Sequence, residues 1–205
     1  MLALRDLLKP DHMTRIANVG EADEHPPYRR MQEEGLCDVG VVVDLPDYIR
    51  VSAAGAELAM LQARPQACAH AVAIQTRVFF LPSVGLPHVG MVDTALRTMG
   101  FVPHCFIEAT CQPIPTDPPL NNVPPNQIVE ADMLYVRDWS KCPTLTSSTP
   151  DSMTGEQWKQ LALIAHHICG SYDLAMYAIT TLAHTTAVAA DAPARYRNIL
   201  TELVN

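Results

Sequence analysis

The sequence predicts an α/β protein, with a largely parallel sheet that ends in an antiparallel hairpin and an all-helical C-terminal third. Three observations predict it. Short apolar strand-like runs alternate with helical segments from residue 15 to residue 108, the pattern of consecutive βαβ units. The last two such runs are joined by a proline-rich stretch without helical period, as a hairpin connection would be. Beyond residue 140 every apolar period is helical.

Each element follows from local chemistry. Leu4, Leu7 and Leu8 share one helical face, and Pro10 ends that helix. Arg15 to Gly20 reads as a strand running into a turn. Tyr28 to Glu34 is a short polar helix closed by Gly35. Val39 to Val43 is almost continuously apolar and predicts a strand buried on both faces. Asp47 to Val51 is the next strand. Gly55 to Ala63 is helical, with Leu58 and Leu61 on one side and Pro65 as its stop. Ala71 to Leu81 is the clearest strand. Val92, Ala95, Leu96 and Met99 follow the i, i+3, i+4, i+7 rule before Gly100. Phe101 to Glu108 and Ala131 to Arg137 are strands, separated by a loop carrying Pro113, Pro115, Pro118, Pro119, Pro124 and Pro125.

A Ser/Thr/Pro-rich connector follows, from Pro143 to Ser152. Trp158, Leu161, Ala162, Ala165 and Ile168 then form a stripe ending at Gly170. Ser171 is placed to cap a helix carrying Leu174, Ala178 and Leu182. A last helix puts Tyr196, Ile199, Leu200 and Leu203 on one face behind Asp191. Two units result: residues 1–140 as the α/β domain and 141–205 as a helical extension packed on it.

Composition bounds the function. The 205 residues suffice for one domain with a real core, and 48% are hydrophobic. A net charge of −8 argues against a nucleic-acid partner, because phosphate binding needs a concentrated basic face. No apolar run has the length of a membrane span, and the first residues do not resemble a signal peptide, so a soluble cytoplasmic protein is expected. Cys37, Cys68, Cys105, Cys111, Cys142 and Cys169 form no C-x-x-C pair and read as small buried hydrophobes.

Several stretches, in order, carry a family resemblance. Thr14-Arg15-Ile16-Ala17-Asn18-Val19-Gly20 is similar to T-R-I-V-D-I-G-A-N. Pro26-Pro27-Tyr28 followed by Gly35-Leu36-Cys37 is similar to the next helix and its exit. Asp47-Tyr48-Ile49-Arg50-Val51 through Gly55-Ala56-Glu57-Leu58 is similar to D-F-L-K-I-D-V-Q-G-x-E-L. Ile74-Gln75-Thr76-Arg77-Val78 is similar to V-Q-T-E-V, and Asp93 to Phe101 to D-x-A-L-R-x-x-G-F. Ala131 to Asp138 is similar to A-D-x-x-Y-V-R-D, and Gly170-Ser171-Tyr172-Asp173-Leu174-Ala175 to G-S-Y-D-L-A. Together they resemble the FkbM-type S-adenosylmethionine-dependent methyltransferases, in a bacterial branch with a helical C-terminal extension. The resemblance implies a Rossmann-like sheet of the methyltransferase type. It implies that Gly20, Glu21, Ser52 and Glu57 line the methyl-donor site.

The departures fall on the chemistry. The acid before Gly20 is Asn18, and Glu21 would repel the carboxylate of the donor. The acid of I-D-V-Q-G is Ser52, and the acid of Q-T-E-V is Arg77, which inverts the charge. Glu57 is retained. It is a site acid by resemblance, or simply an acid at a helix N-terminus favoured by the dipole. The second strand supplies no acid before Asp44, and the chain reaches the Asp47 motif almost at once, so a strand and helix of the family are expected to be missing. The expectation is a non-catalytic, truncated methyltransferase fold without cofactor. It would act as a structural or accessory subunit that binds a protein partner or itself, through the loop at 112–125 and the extension. The alternative is an O- or N-methyltransferase that binds S-adenosylmethionine in an altered pocket.

Other groupings are weaker. His104, Cys105 and Cys111, or His166, His167 and Cys169, contain metal-ligand types, but neighbours on a helix diverge, so core or surface histidines and no metal are expected. Ser83 and Ser171 lack a G-x-S-x-G context. Trp139 is expected to pack on the helical extension.

Overall fold

The computed structural model describes residues 2–20, 26–53, 55–81, 85–117, 123–139 and 153–204. The chain runs α1 (Leu2–Leu8), β1 (Thr14–Gly20), α2 (Arg29–Glu33), β2 (Cys37–Gly40), β3 (Tyr48–Ser52), α3 (Glu57–Gln62), α4 (Pro65–His70), β4 (Ala73–Phe79), α5 (Val89–Thr98), β5 (Phe101–Gln112), β6 (Gln127–Arg137), α6 (Gly155–His167), α7 (Tyr172–His184) and α8 (Ala192–Val204).

The strands form one six-stranded sheet in the order β2-β1-β3-β4-β6-β5. Strands β2, β1, β3 and β4 are mutually parallel, and β6 lies antiparallel between β4 and β5. The C-terminal hairpin is thus present, and its first strand returns to the sheet edge. This is an α/β fold compatible with a Rossmann-like sheet.

Helices cover both faces, because the central strands carry apolar side chains on both. Ile16, Tyr48, Ala73, Leu134 and Val136 face a core shared with α1, α2, α6, α7 and α8. Ala17, Val19, Ile49, Val51, Ile74, Val78 and Tyr135 face the opposite core, under α3, α4 and α5. The C-terminal helices therefore share a continuous core with one sheet face. Trp139 at the end of β6 meets Tyr177 of α7 at 4.9 Å between ring centroids, and Tyr177 meets Trp158 at 5.9 Å. Trp139 thus packs on the extension.

Three local expectations are corrected. The second strand ends at Gly40, and Val41 and Val42 are 64% and 79% exposed. The strand lies at the sheet edge, and the chain leaves it to return directly to the start of β3. An apolar run is not buried when no second neighbour covers it. Pro65 does end α3, but it also begins α4 at the first helical turn, where its missing N–H costs nothing. The pair β5 and β6 is also longer than the apolar runs suggest, since cross-strand pairing continues to Gln112 and Gln127 after burial has ended.

Register shifts on β5 shape the contact with the extension. The shift between Pro103 and Cys105 leaves His104 as the extra residue of a bulge. His104 Nε2 lies 2.8 Å from Ser171 Oγ in the turn before α7. Ser171 occupies the cap position, but its hydroxyl donates to Asp173 Oδ1, and it is Asp173 that accepts from the backbone N–H of Leu174. Helix α6 begins with a full capping box, Thr154 with Gln157.

Candidate functional site at the carboxyl ends of the central strands

The chain steps from β1 outward to β2, then returns to the other side of β1 as β3 and continues to β4. The direction of winding therefore reverses between β1 and β3. In open α/β sheets this switch point, at the carboxyl ends of the strands, leaves a crevice for ligands. Gly20 and Ser52 are register partners at that point.

Gly20 has φ +107°, and a β-carbon there would stand 1.9 Å from the Ser52 carbonyl oxygen. Only glycine fits such an approach in such a backbone conformation. Ser52 is buried. Glu57 opens α3 and is 0% exposed. Its carboxylate accepts from the N–H of Gly55 at 2.8 Å and of Ala53 at 3.3 Å, closing the turn that leaves β3. Gly55, with φ +98°, presses against Leu86, whose Cδ2 would lie 2.6 Å from a β-carbon. Gly20, Ser52 and Glu57 are therefore gathered at one end of the sheet. Glu21 lies outside the described residues.

A row of polar side chains crosses the sheet face below this point. Arg50 is only 3% exposed and donates from an Nη to Asn18 Oδ1 at 3.2 Å. The Tyr48 hydroxyl donates to Gln75 Oε1, and Gln75 Nε2 donates to Asp132 Oδ2 at 3.0 Å. Arg77 Nε donates to Asp132 Oδ1 at 2.9 Å. The bond from Asp132 pushes Arg77 above its ordinary value, so the guanidinium stays charged. A cavity of about 160 Å³ beside this pair is lined by Glu108, Thr110, Glu130 and Ala131 as well. Asn18 and Arg77 are thus tied into this row. Asn18 accepts from Arg50, and Arg77 is ion-paired with Asp132.

The row was partly visible as polar residues at alternate positions of an apolar strand, Gln75 and Arg77 within β4 and Arg50 within β3. A second cluster left no signal in the spacing. At the amino ends of the strands, Asp47 is 1% exposed and accepts from His12 Nε2 at 3.0 Å, the N–H of Arg15 at 2.8 Å and Arg15 Nε at 3.3 Å. His70 Nε2 stands 3.5 Å from the same carboxylate. Burial pushes His70 below the ordinary histidine value, against the pull of Asp47. His12 Nδ1 faces Glu156 of α6 at 3.6 Å, so this cluster ties the extension to the sheet.

The remaining candidates carry little chemistry. Burial pushes the Cys37 thiol up to about 11 and raises Cys68, Cys105 and Cys169, which disfavours the thiolate form of each. Cys142 and Ser83 lie outside the described residues. Among the described residues no group of three His, Cys, Asp or Glu side chains is disposed to hold a metal ion, and no helix is long and apolar enough to cross a membrane. A cleft of about 420 Å³ lies between the link from β2 to β3 and the junction of α3 with α4, lined by Val42, Val43, Asp44 and residues 63–67. The chain matches no protein-family model, no curated protein and no solved structure.

Proposed function

We propose that this chain is a non-catalytic protein of methyltransferase-type fold, related to the FkbM-type enzymes, that serves as a structural or accessory subunit bound to another protein. The observation that carries the proposal is at the switch point. The retained acid, Glu57, is closed to solvent and holds backbone amides of its own turn, while Arg50 pairs with Asn18 and Arg77 with Asp132. Polar groups that would meet a ligand in an open crevice here meet one another. Burying them in mutual contacts stabilises the scaffold and leaves the donor few partners.

The topology supports the same reading. An antiparallel strand, β6, stands between β4 and β5, while the other edge stops at the short β2. The direct link from β2 to β3 runs where the resemblance calls for a further strand and helix. It exposes Val41, Val42 and Leu45 beside the unpaired edge of β2. An edge strand with apolar neighbours favours cover by another chain.

Titration calorimetry with S-adenosylmethionine and S-adenosylhomocysteine tests the proposal. No binding, with recovery of a stoichiometric partner from the native host, is the expected result. Micromolar binding of either compound would sink it and establish the alternative, a methyltransferase whose donor pocket is built on Gly20 and Ser52.

A further inference from the structure

Helix α8 packs on α1 and α7, and it meets α6 through a buried contact between an imidazole and a phenol. His166 on α6 is 7% exposed and Tyr196 on α8 is 0% exposed. His166 Nδ1 and the Tyr196 hydroxyl are 2.9 Å apart. The His166 ring also meets His167 edge-on at 4.6 Å and Tyr172 of α7 at 5.2 Å, between centroids. His167 Nε2 is buried and has no hydrogen-bond partner.

Among the described residues, the groups that bear on this pair offer no compensation for a positive charge. The charge of the described residues that acts on both rings is that of Arg30 of α2, which is cationic, and each imidazole is the other's neighbour. Tyr172 and Tyr196 are neutral phenols, and Asp173 acts on Tyr196. Nδ1 of a neutral imidazole can accept from the Tyr196 hydroxyl or donate to it; an imidazolium can only donate. Protonation would oblige that hydroxyl to accept and would set a cation inside an apolar core. Protonating both rings would also set two cations edge to edge there.

We propose that His166 and His167 form an acid-sensitive latch, whose protonation releases α8 from α6 while the sheet remains folded. Burial lowers both rings from 6.5, His166 to about 4 and His167 to about 3. Above about pH 6.5 docked and released helices are both neutral at these sites, and pH has no effect. As pH falls below that value the released form takes up protons that the docked form excludes. The latch then weakens by up to about tenfold per pH unit for each histidine.

Amide hydrogen exchange at about pH 7.5 and about pH 5, corrected for intrinsic chemical rates, reads this directly. The expected result is at least about tenfold faster exchange of α8 at the lower pH with unchanged protection of β3 and β4, and loss of that response in the His166→Gln, His167→Gln double variant. Equal protection of α8 at both pH values would overturn the proposal, as would parallel loss of the sheet or an unaltered acid response in the variant. If the double variant does not fold, nuclear magnetic resonance titration of the two rings in the native protein decides. Both rings neutral down to about pH 5 is expected; midpoints near the ordinary histidine value would refute the latch.

Discussion

A β-carbon at Gly20 would stand 1.9 Å from the carbonyl oxygen of Ser52, so the two strands that flank the switch point touch backbone to backbone at their carboxyl ends. The Gly20→Ala substitution forces either β1 or β3 to shift, at a position with φ +107° that a side chain disfavours. We expect a loss of about 3 kcal/mol or more, read as a lowered urea midpoint with an unchanged slope. A midpoint within error of the native one would show that the strand ends yield easily.

Glu57 offers a second test, because its carboxylate holds two backbone amides from a fully buried position. Glu57→Gln keeps the shape but turns a donor group toward one of those amides. The expected cost is about 1–3 kcal/mol in denaturant unfolding. A variant as stable as the native protein would mean that Glu57 does not hold the turn, and would return it to the candidates for ligand contact.

Arg137 fastens the ends of three elements. Its guanidinium donates to the carbonyls of Cys68 and Ala69 at the end of α4, of Ala71 before β4 and of Met99 after α5, and it lies 4.3 Å over the Phe101 ring. A cation at helix carboxyl ends also favours the dipoles. Arg137→Ala is expected to lose about 2–4 kcal/mol, and Arg137→Lys to recover only a minor part, since one ammonium cannot span the four carbonyls. Thermal unfolding of the three proteins side by side checks the order.

Thiol chemistry reports on the buried cores. Burial raises Cys37, Cys68, Cys105 and Cys169, Cys37 to about 11. At about pH 8 the thiolate fraction of each is small in the folded protein and larger once unfolding returns them to ordinary values. A colorimetric disulfide reagent should therefore titrate these four thiols only after denaturant is added. Rapid reaction of Cys37 in the native protein, identified by peptide mass, would contradict its burial.

Much of the fold was legible because it rests on local rules. The stripe Val92, Leu96 and the stop at Gly100 needed only helical periodicity, and the proline-rich connection foretold the antiparallel pairing of β5 with β6. The run from Val39 to Val43 misled for a physical reason. Apolarity says that a segment gains by burial, whereas its place at the edge of the sheet decides whether anything is there to bury it. The start of α4 at Pro65 was hidden likewise, because proline both ends a helix and begins one.

The site divides along the same line. Gly20, Ser52 and Glu57 were named from motif order, and the fold brings them to one end of the sheet. The partners that occupy their surroundings, Arg50 with Asn18, Arg77 with Asp132, and Asp47 with His12 and His70, are separated by 23 or more positions, and no periodicity links them. By itself the sequence determined the α/β alternation and the helical C-terminal third. Only the tertiary structure decided that Glu57 faces its own backbone and that Arg77 meets an acid two strands later in the chain. Burial and pairing are properties of what stands opposite a side chain, and in a sheet that neighbour comes from a distant part of the chain.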